Sequence, residues 1–512
     1  MKNFKRIYIL LLGCVLATNF SCTNLDEEVY SDLTGDTFFD TEENLLRAFG
    51  TSYTILYQYG AQYSMPSLDV STDLFAVPTR GGDWLDGGRW QRLHRHEWTT
   101  NEIYVDNMWG FIFNGVNICN QLIFQFELSG GELADNAIAE LRALRAFYYY
   151  WGVDLFGNIP IETEFDVPDG YLPTPNTRQE VYEFIEAELL EVAPLLTEEV
   201  GPVTYGRMTK YAALTTLAKL YLNAEVYTGT AQWQKADDVL DQIIDANKYD
   251  LAPSYFDNFK VDASGSPEAI LAVPYDDVFA TGLTLHYFSL HYQHQEKFSL
   301  QATPWNGICA LEEFYNSFED DDDRRNGLLA GPQYGPDGVT QLTDPLYEPF
   351  DPTNPAGAFD TDGPGLNLTP AINELEPRAL RQAGARIGKF EIEEGIDADN
   401  SADYPIFRYA EILQMKAETQ WRLNQGGVEY LNLVRDRANL DPLTTIDEDI
   451  ILAEKAKELY IEGQRRTDLI RFGRYGDAWW EKEVSDLNCV SLWPIPQGQI
   501  DANPNLMQNP CY

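Results

Sequence analysis

The sequence predicts an all-α fold, a scaffold of tetratricopeptide-like helical hairpins carrying a loop-rich face. Three observations predict it. Apolar residues recur at helical spacing through most of the chain. Helical segments of similar length follow each other across short turns. One long stretch, about 250–400, switches to Pro, Gly, Asp and Asn, as in "GPQYGPDGVTQLTDPLYEPFDPTNPAGAFDTDGPG".

"EENLLRAFGTSYTILYQYG" is the first amphipathic segment, with Leu45, Leu46, Phe49, Tyr53, Leu56 and Tyr57 in phase. "AIAELRALRAFYYYWGVDLFG" puts Leu141, Leu144, Tyr148 and Trp151 on one face and ends near Gly157. "TRQEVYEFIEAELLEVAPLL" opens with Thr177 and Glu180 at capping-box spacing. "TKYAALTTLAKLYLNAEVY" is rich in small residues, so its helix can approach a neighbour closely. "QWQKADDVLDQIIDANKY" follows at once and completes a hairpin. After the loop-rich insertion, "YPIFRYAEILQMKAETQWRLN" and "VEYLNLVRDRANL" predict another hairpin. "TIDEDIILAEKAKELYIEGQRRTDLIRFG" reads as one long helix, with Thr445 and Glu448 at capping-box spacing and Gly473 near its end. The last segment, from Leu492, has too much Pro and Asn for a helix and reads as an ordered irregular tail.

A chain of 512 residues can bury a large core, and 13% aromatic residues place it among folded globular proteins. The formal net charge of -45 repels nucleic acid and anionic lipid headgroups. No CxxC or zinc-ligand spacing occurs among the six Cys, and several disulfide pairings stay open. Cys489 with Cys511, in one C-terminal segment, is the first expected. "MKNFKRIYILLLGCVLATNFSC" has a basic start and an apolar run, the layout of a secretory signal peptide over residues 1–21. Cys22 would then be the first mature residue and the lipid-bearing one; Cys14 is preceded by too short an apolar run.

The five His fall in two places. His94 and His96 would share one face of a strand, and His291 and His294 one face of a helix, with His286 nearby. Without HExxH or Cys partners they read as hydrogen-bonding residues rather than a zinc site. "EDDDDRRNG", Glu319 to Gly327, lacks the alternating ligands of a calcium loop. It reads as an exposed acidic turn in which Arg324 and Arg325 pair locally. No cofactor is expected; a structural calcium elsewhere stays open without being indicated. With 81 Asp and Glu, no carboxylate pair stands out as a glycosidase dyad.

"TRGGDWLDGG" places Trp84 in a Gly-rich loop beside Arg80, Asp83 and Asp86, with Asp73 just upstream. "ATPWNG" does the same for Trp305 and Asn306, and Tyr275 and Tyr292 stand in the same middle region. An indole or phenol face suits the C–H face of a sugar ring, and Asp, Asn or Arg suit its hydroxyls. Trp98 and Trp109 read as core; Trp90 stands between core and surface. Arg80, Arg89, Arg92 and Arg95 could form a basic patch beside the loop.

An ordered series of segments resembles the SusD/RagB family of outer-membrane glycan-binding lipoproteins of Bacteroidota. They are "CTNLDEE" from Cys22, "RALRAFYYYWGVDLFGNIPI", "GRMTKYAALTTLAKLYL", "RYAEILQMKAE", "LNLVRDRANL", "ELYIEGQRRTDLIRFG" and the closing "LWPIPQGQIDANPNLMQNPCY". The resemblance implies four tetratricopeptide-like units and no catalysis. It divides the chain into residues 22–230 and a C-terminal part, 231–512, that contains the insertion. It also implies a lipid-anchored position on the outer membrane facing outward, above a SusC-like TonB-dependent transporter that receives a captured oligosaccharide. In the family, the loop before the "RALRAFYYYWG" helix supplies stacking Trp, and Trp84 stands in about that place. The expected ligand contacts are Asp73, Arg80, Asp83, Trp84, Tyr275, Tyr292, Trp305 and Asn306. The acidic balance tilts the ligand towards a neutral glycan. Peptide uptake and, less strongly, glycoside hydrolysis are the alternatives.

Overall fold

Helix α1 (Glu42–Thr51) opens the part of the chain described by the computed structural model, residues 41–512 apart from 348, 350, 351 and 354–362. Cys14, Cys22 and the signal-peptide and lipid-attachment expectations lie outside the described residues. After α2 (Arg89–Arg95) come the paired helices α3 (Ile103–Ser129) and α4 (Glu132–Leu155), joined through the left-handed Gly130 and Gly131. α3 buries residues on several faces, so it carries no single apolar stripe in the sequence. The α3–α4 approach depends on Gly115, where a Cβ would stand 2.5 Å from the Tyr148 ring. α5 (Arg178–Val192) starts at the expected capping box, with Thr177 and Glu180 satisfying each other's backbone N–H groups.

α6 (Lys210–Leu222) pairs with α7 (Trp233–Asp245). Every α6 residue after Lys210 is buried, including Thr215 and Thr216. Their hydroxyls donate to the carbonyls of Tyr211 (2.8 Å) and Ala212 (3.0 Å), so neither is left without a partner. α8 (Tyr409–Arg422) and α9 (Val428–Arg437) form the next hairpin, and α8 also packs on α7. The fold is mostly helical, as expected. Its strands are short: β1 (Phe75–Ala76) pairs with β3 (Cys309–Ala310), and β2 (Ala269–Val273) pairs antiparallel with β4 (Tyr404–Arg408). The β2–β4 pair brings the two ends of the loop-rich insertion together.

A buried ion network fastens that insertion to the C-terminal helices. Arg408, at the end of β4, donates to Glu462 at 2.9 Å and also pairs with Glu458 and Glu268. Arg437 bridges Glu268 and Glu458. Lys389 reaches Glu462 at 2.6 Å. Arg324 pairs with Asp322 (2.8 Å), Glu454 (3.1 Å) and Glu458 (3.3 Å). This corrects the reading of Glu319–Gly327 as an exposed turn, because Asp322 and Arg324 are buried; the expected local pairing does form, Arg324 with Asp322 and Arg325 with Asp320.

The expected long helix is two, α10 (Glu448–Leu459) and α11 (Arg465–Arg471), and the cap is Asp447 rather than Thr445. Ile461 and Gly463 take left-handed φ at the break. The reversal turns Glu462 inward to Arg408 and Lys389, which a continuous helix would not do. A Cys489–Cys511 disulfide closes the tail, which is irregular apart from short helices such as Gln497–Ala502. His94 is not on a strand; it lies in the last turn of α2, and His96 is the left-handed cap of that helix. Each meets a protein partner instead of a metal. The ring Nε2–H of His94 donates to the Trp480 carbonyl (2.7 Å), and that of His96 to the Ser71 carbonyl (2.8 Å).

Two measurements follow. Arg408→Ala leaves Glu458 and Glu462 short of a buried partner, and should lower stability by about 3–5 kcal/mol in denaturant titration. An unchanged midpoint would show that the network does not hold the insertion. The second concerns acid. Burial depresses the imidazoles of His94, His286 and His291 to about 4, and holds those of His96 and His294 well below the ordinary value. The unfolded chain takes up these protons near pH ~6.5. Each folded value lies below its unfolded one, so the contribution is complete above about pH 6.5 and is lost as pH falls through about 4. Asp69 and Asp403, pushed up to about 7 and about 6 by burial, act in the opposite sense. Two against five, they slow the loss without reversing it. The urea midpoint should therefore fall as pH drops from about 6.5 to about 4; a flat profile down to about pH 5 contradicts buried neutral imidazoles.

Candidate ligand-binding site

The β1–β3 pair runs out into two loops that lie side by side and carry Trp84 and Trp305. The first loop closes on itself: Arg80 N–H donates to the Asp83 carbonyl (3.0 Å), and Asp83 N–H to that of Arg80 (3.2 Å). Gly81 supplies one left-handed position; Trp84, with φ 62°, supplies another that an L-residue rarely adopts. Such strain persists only where surroundings hold it. Here they do. The Trp84 indole N–H donates to the Trp305 carbonyl at 2.6 Å, and its ring packs on Phe288 and Trp90. Its underside lies on Gly307, where an added Cβ would come within 2.6 Å of the indole.

The two loops bound an open cavity of about 600 Å³. Tyr63, Trp84, Tyr292 and Trp305 line it, with Gln62, Asp83, Asp86 and Thr303 as polar neighbours. Tyr63 stacks on the buried Trp90, ring centroids 5.4 Å apart and nearly parallel. The Tyr292 hydroxyl donates to the Asp83 carboxylate, and burial together with that contact pushes the phenol up to about 12. It is therefore a neutral donor at ordinary pH. The Arg381 guanidinium covers Tyr292 at 4.1 Å and is itself held by Asp344 at 2.6 and 3.2 Å. A second cleft of about 350 Å³, between Gly82–Asp83 and Arg378–Arg381, adjoins the first.

Asp83, Trp84, Tyr292 and Trp305 thus meet as expected. The other four do not join them. Tyr275 is buried; its hydroxyl accepts from Gly60 N–H (2.7 Å) and donates to the Tyr57 carbonyl (3.1 Å). Asp73 pairs with Arg465 at 2.7 Å in a different groove. Arg80 and Asn306 are buried beneath the cavity. Arg80 donates to the carbonyls of Asn306 (2.9 Å) and Ala383 (2.8 Å), and Asn306 donates to that of Arg381 (2.9 Å). They support the loops, and Arg80 also lines the adjoining cleft. The basic patch does not form either. Arg92 is taken by Glu102, and Arg95 by Glu376 and Glu481. Arg89 bonds the Asp86 carbonyl and the Tyr63 hydroxyl. Gln62 and Tyr63 are additions. They follow a helical segment with no loop motif of their own, and the Tyr63–Trp90 stack and the Arg89–Tyr63 hydrogen bond bring them to the site.

Among the described residues no cluster of His, Cys, Asp and Glu could hold a metal ion. The cavity offers flat apolar faces ringed by hydrogen-bond acceptors, the one O–H of Tyr292 being donated to Asp83. That is suited to a hydroxylated ring compound held by stacking and hydrogen bonds.

Fold and site together define a helical-repeat scaffold that carries an open aromatic cleft on its loops. Two family models match, one described as the SusD family over residues 397–512, the other as starch-binding associating with the outer membrane over residues 24–222. The chain belongs to the SusD family. It is 26% identical to the starch-binding protein SusD of Bacteroides thetaiotaomicron over 79% of this chain and 78% of that one. It is 24% identical to a SusD-like protein of Formosa agariphila over the full length of both. Surface glycan-binding protein A from Bacteroides thetaiotaomicron superimposes with a TM-score of 0.72 at 25% identity, covering 93% of this chain and 100% of that one. A structure of surface glycan-binding protein A from that organism with laminarihexaose gives 0.71 at 24%, covering 91% and 99%.

Gly307→Ala should push the Trp84 ring off its seat, changing the near-ultraviolet circular dichroism of the indoles while the far-ultraviolet helix signal stays. An unaltered near-ultraviolet spectrum would show that Gly307 does not seat Trp84.

Proposed function

We propose that the protein is a cell-surface lipoprotein that captures a neutral oligo- or polysaccharide and passes it to a partner SusC-like TonB-dependent transporter. The observation that carries the reading is the cleft in which Tyr63, Trp84, Tyr292 and Trp305 surround one open volume, with Asp83 and Asp86 beside it. Stacking supplies most of the binding energy and the carboxylates select hydroxyl donors. Among the described residues no Lys or Arg lines this cavity. A uronate or sulfate would meet Asp83 and Asp86, while the neighbouring Arg381 is held by Asp344 and Arg89 by Asp86 and Tyr63, so a neutral glycan is favoured, in line with the overall charge of -45. The names of the relatives, a starch-binding protein and a surface glycan-binding protein, support glycan capture. Cys22, as the first mature residue, would carry acyl chains that hold the protein to the membrane through buried methylenes. Capture is non-covalent, without turnover.

Affinity electrophoresis of the mature protein in gels containing laminarin, starch and other neutral polysaccharides tests the reading. Trp84→Ala and Trp305→Ala should each cost about 2 kcal/mol, roughly thirtyfold in affinity. Unchanged retardation in both variants would remove this cleft as the site. Release of reducing ends, abolished by one Asp or Glu substitution, would replace capture with hydrolysis.

A further inference from the structure

We infer that a second groove, beside Trp479 and Trp480, is a second carbohydrate-binding site for the neutral glycan that the first cleft holds. The inference rests on the glycan reading of that cleft. The groove has a volume of about 590 Å³ and is lined by Asp73, Glu313, Phe314, Arg465, Trp479 and Trp480. The two half-buried indoles sit on a tight turn. Trp479 N–H donates to the Lys482 carbonyl (3.2 Å) and Lys482 N–H to that of Trp479 (3.0 Å), while Glu481 at the corner has φ 56°. The turn is pinned to α2, because the Trp480 carbonyl accepts from His94. Trp479 packs inward on His94, His96 and Tyr475 and Trp480 on His94, and both leave part of their rings on the groove.

The polar groups favour an uncharged, hydroxyl-rich partner. Arg465 donates to both oxygens of Asp73 (2.8 and 2.7 Å) and to the Leu452 carbonyl (2.7 Å), so its charge is already answered. Asp73 keeps acceptor sites for incoming hydroxyls, and Glu313 is exposed at the start of the short helix that carries Phe314. An anionic ligand would find two carboxylates and, among the described lining residues, no uncommitted cation. The two sites are also joined by the same pair of segments. Asp73 and Leu311 stand at one end of the β1–β3 pair, and the Trp84 and Trp305 loops at the other. From Leu74 to Arg80 an extended chain spans on the order of 20 Å. A polysaccharide that engages both grooves would gain avidity without any new contact at either.

The test uses the mature protein with laminarihexaose in calorimetry and with laminarin and starch in affinity gels. The unsubstituted protein should bind two hexasaccharides per chain. Trp480→Ala, and Glu313→Lys on the exposed surface, should each reduce this to one and weaken polymer retardation by about a hundredfold or less, with the melting temperature of Glu313→Lys unchanged. Trp84→Ala should also leave one, and the Trp84→Ala, Trp480→Ala double variant none. A stoichiometry of one that Trp84→Ala abolishes and Trp480→Ala and Glu313→Lys leave intact overturns the inference while the first cleft stands. One site that survives Trp84→Ala and Trp305→Ala but is lost with Trp480→Ala supports the groove and removes the first cleft instead. No binding of any of the three glucans overturns both. Trp480-dependent binding of a lysine–leucine tetrapeptide, with glucan binding untouched by Trp480→Ala, makes the groove a peptide site and overturns the inference.

Discussion

The ligand face depends on a buried guanidinium, that of Arg408. The insertion between β2 and β4 has few ladders and few helices, so backbone hydrogen bonds alone cannot give it a shape. Arg408 stands where β4 enters α8 and meets Glu268 from the start of the insertion and Glu458 and Glu462 from the C-terminal helices. Lys389 and Arg324, both from within the insertion, share the same acceptors. Charges so deeply buried are tolerated only when every one is paired, and pairing has direction. The network therefore fixes where the loops leave the scaffold, which nonpolar contact alone would specify less sharply.

A second buried set repeats the device under the cleft. Arg80 and Arg386 are both buried, and burial lowers both, Arg386 to about 9. Carbonyl and amide oxygens answer them: Arg80 takes those of Asn306 and Ala383, and Arg386 holds the Asn306 side chain at 2.7 and 2.9 Å. These contacts tie the Trp84 loop, the Trp305 loop and the segment around Arg381 into one unit. The aromatic faces are thus presented by loops but held by a polar core, and binding need not pay for ordering them. Tyr292 is oriented in the same way, between the Asp83 carboxylate and the Arg381 guanidinium that Asp344 fixes.

Chemistry that acts over a few residues is legible in the amino-acid sequence. The capping box at Thr177, the α6–α7 hairpin and the Cys489–Cys511 pair are of this kind. So is the partial exposure of Trp84 and Trp305, because Gly, Asp and Pro around an aromatic leave it little to pack on locally. The misreadings have one common cause. Arg80, Tyr275, Asn306 and Arg324 are polar or amphipathic residues in loops, and nothing in a loop's sequence says whether its partner is a ligand or another part of the chain. Arg80 meets carbonyls more than two hundred residues away, and Tyr275 meets the backbone of Tyr57 and Gly60. The break between α10 and α11 is hidden for a related reason: its apolar period continues, and the demand for Glu462 at Arg408 comes from elsewhere in the chain.

The sequence by itself determined the helical scaffold, the family and the aromatic residues most suited to a sugar face, since periodicity, caps and glycine punctuation act within a turn or two. The tertiary structure decided which of those residues share one cavity. It sent Tyr275 to the core and Asp73 to a different groove, and brought in Tyr63. It placed Arg80 beneath the site rather than in it. The physical reason is that a buried polar group must be satisfied, and the partner that satisfies it is chosen by the fold's long-range contacts rather than by its neighbours in sequence.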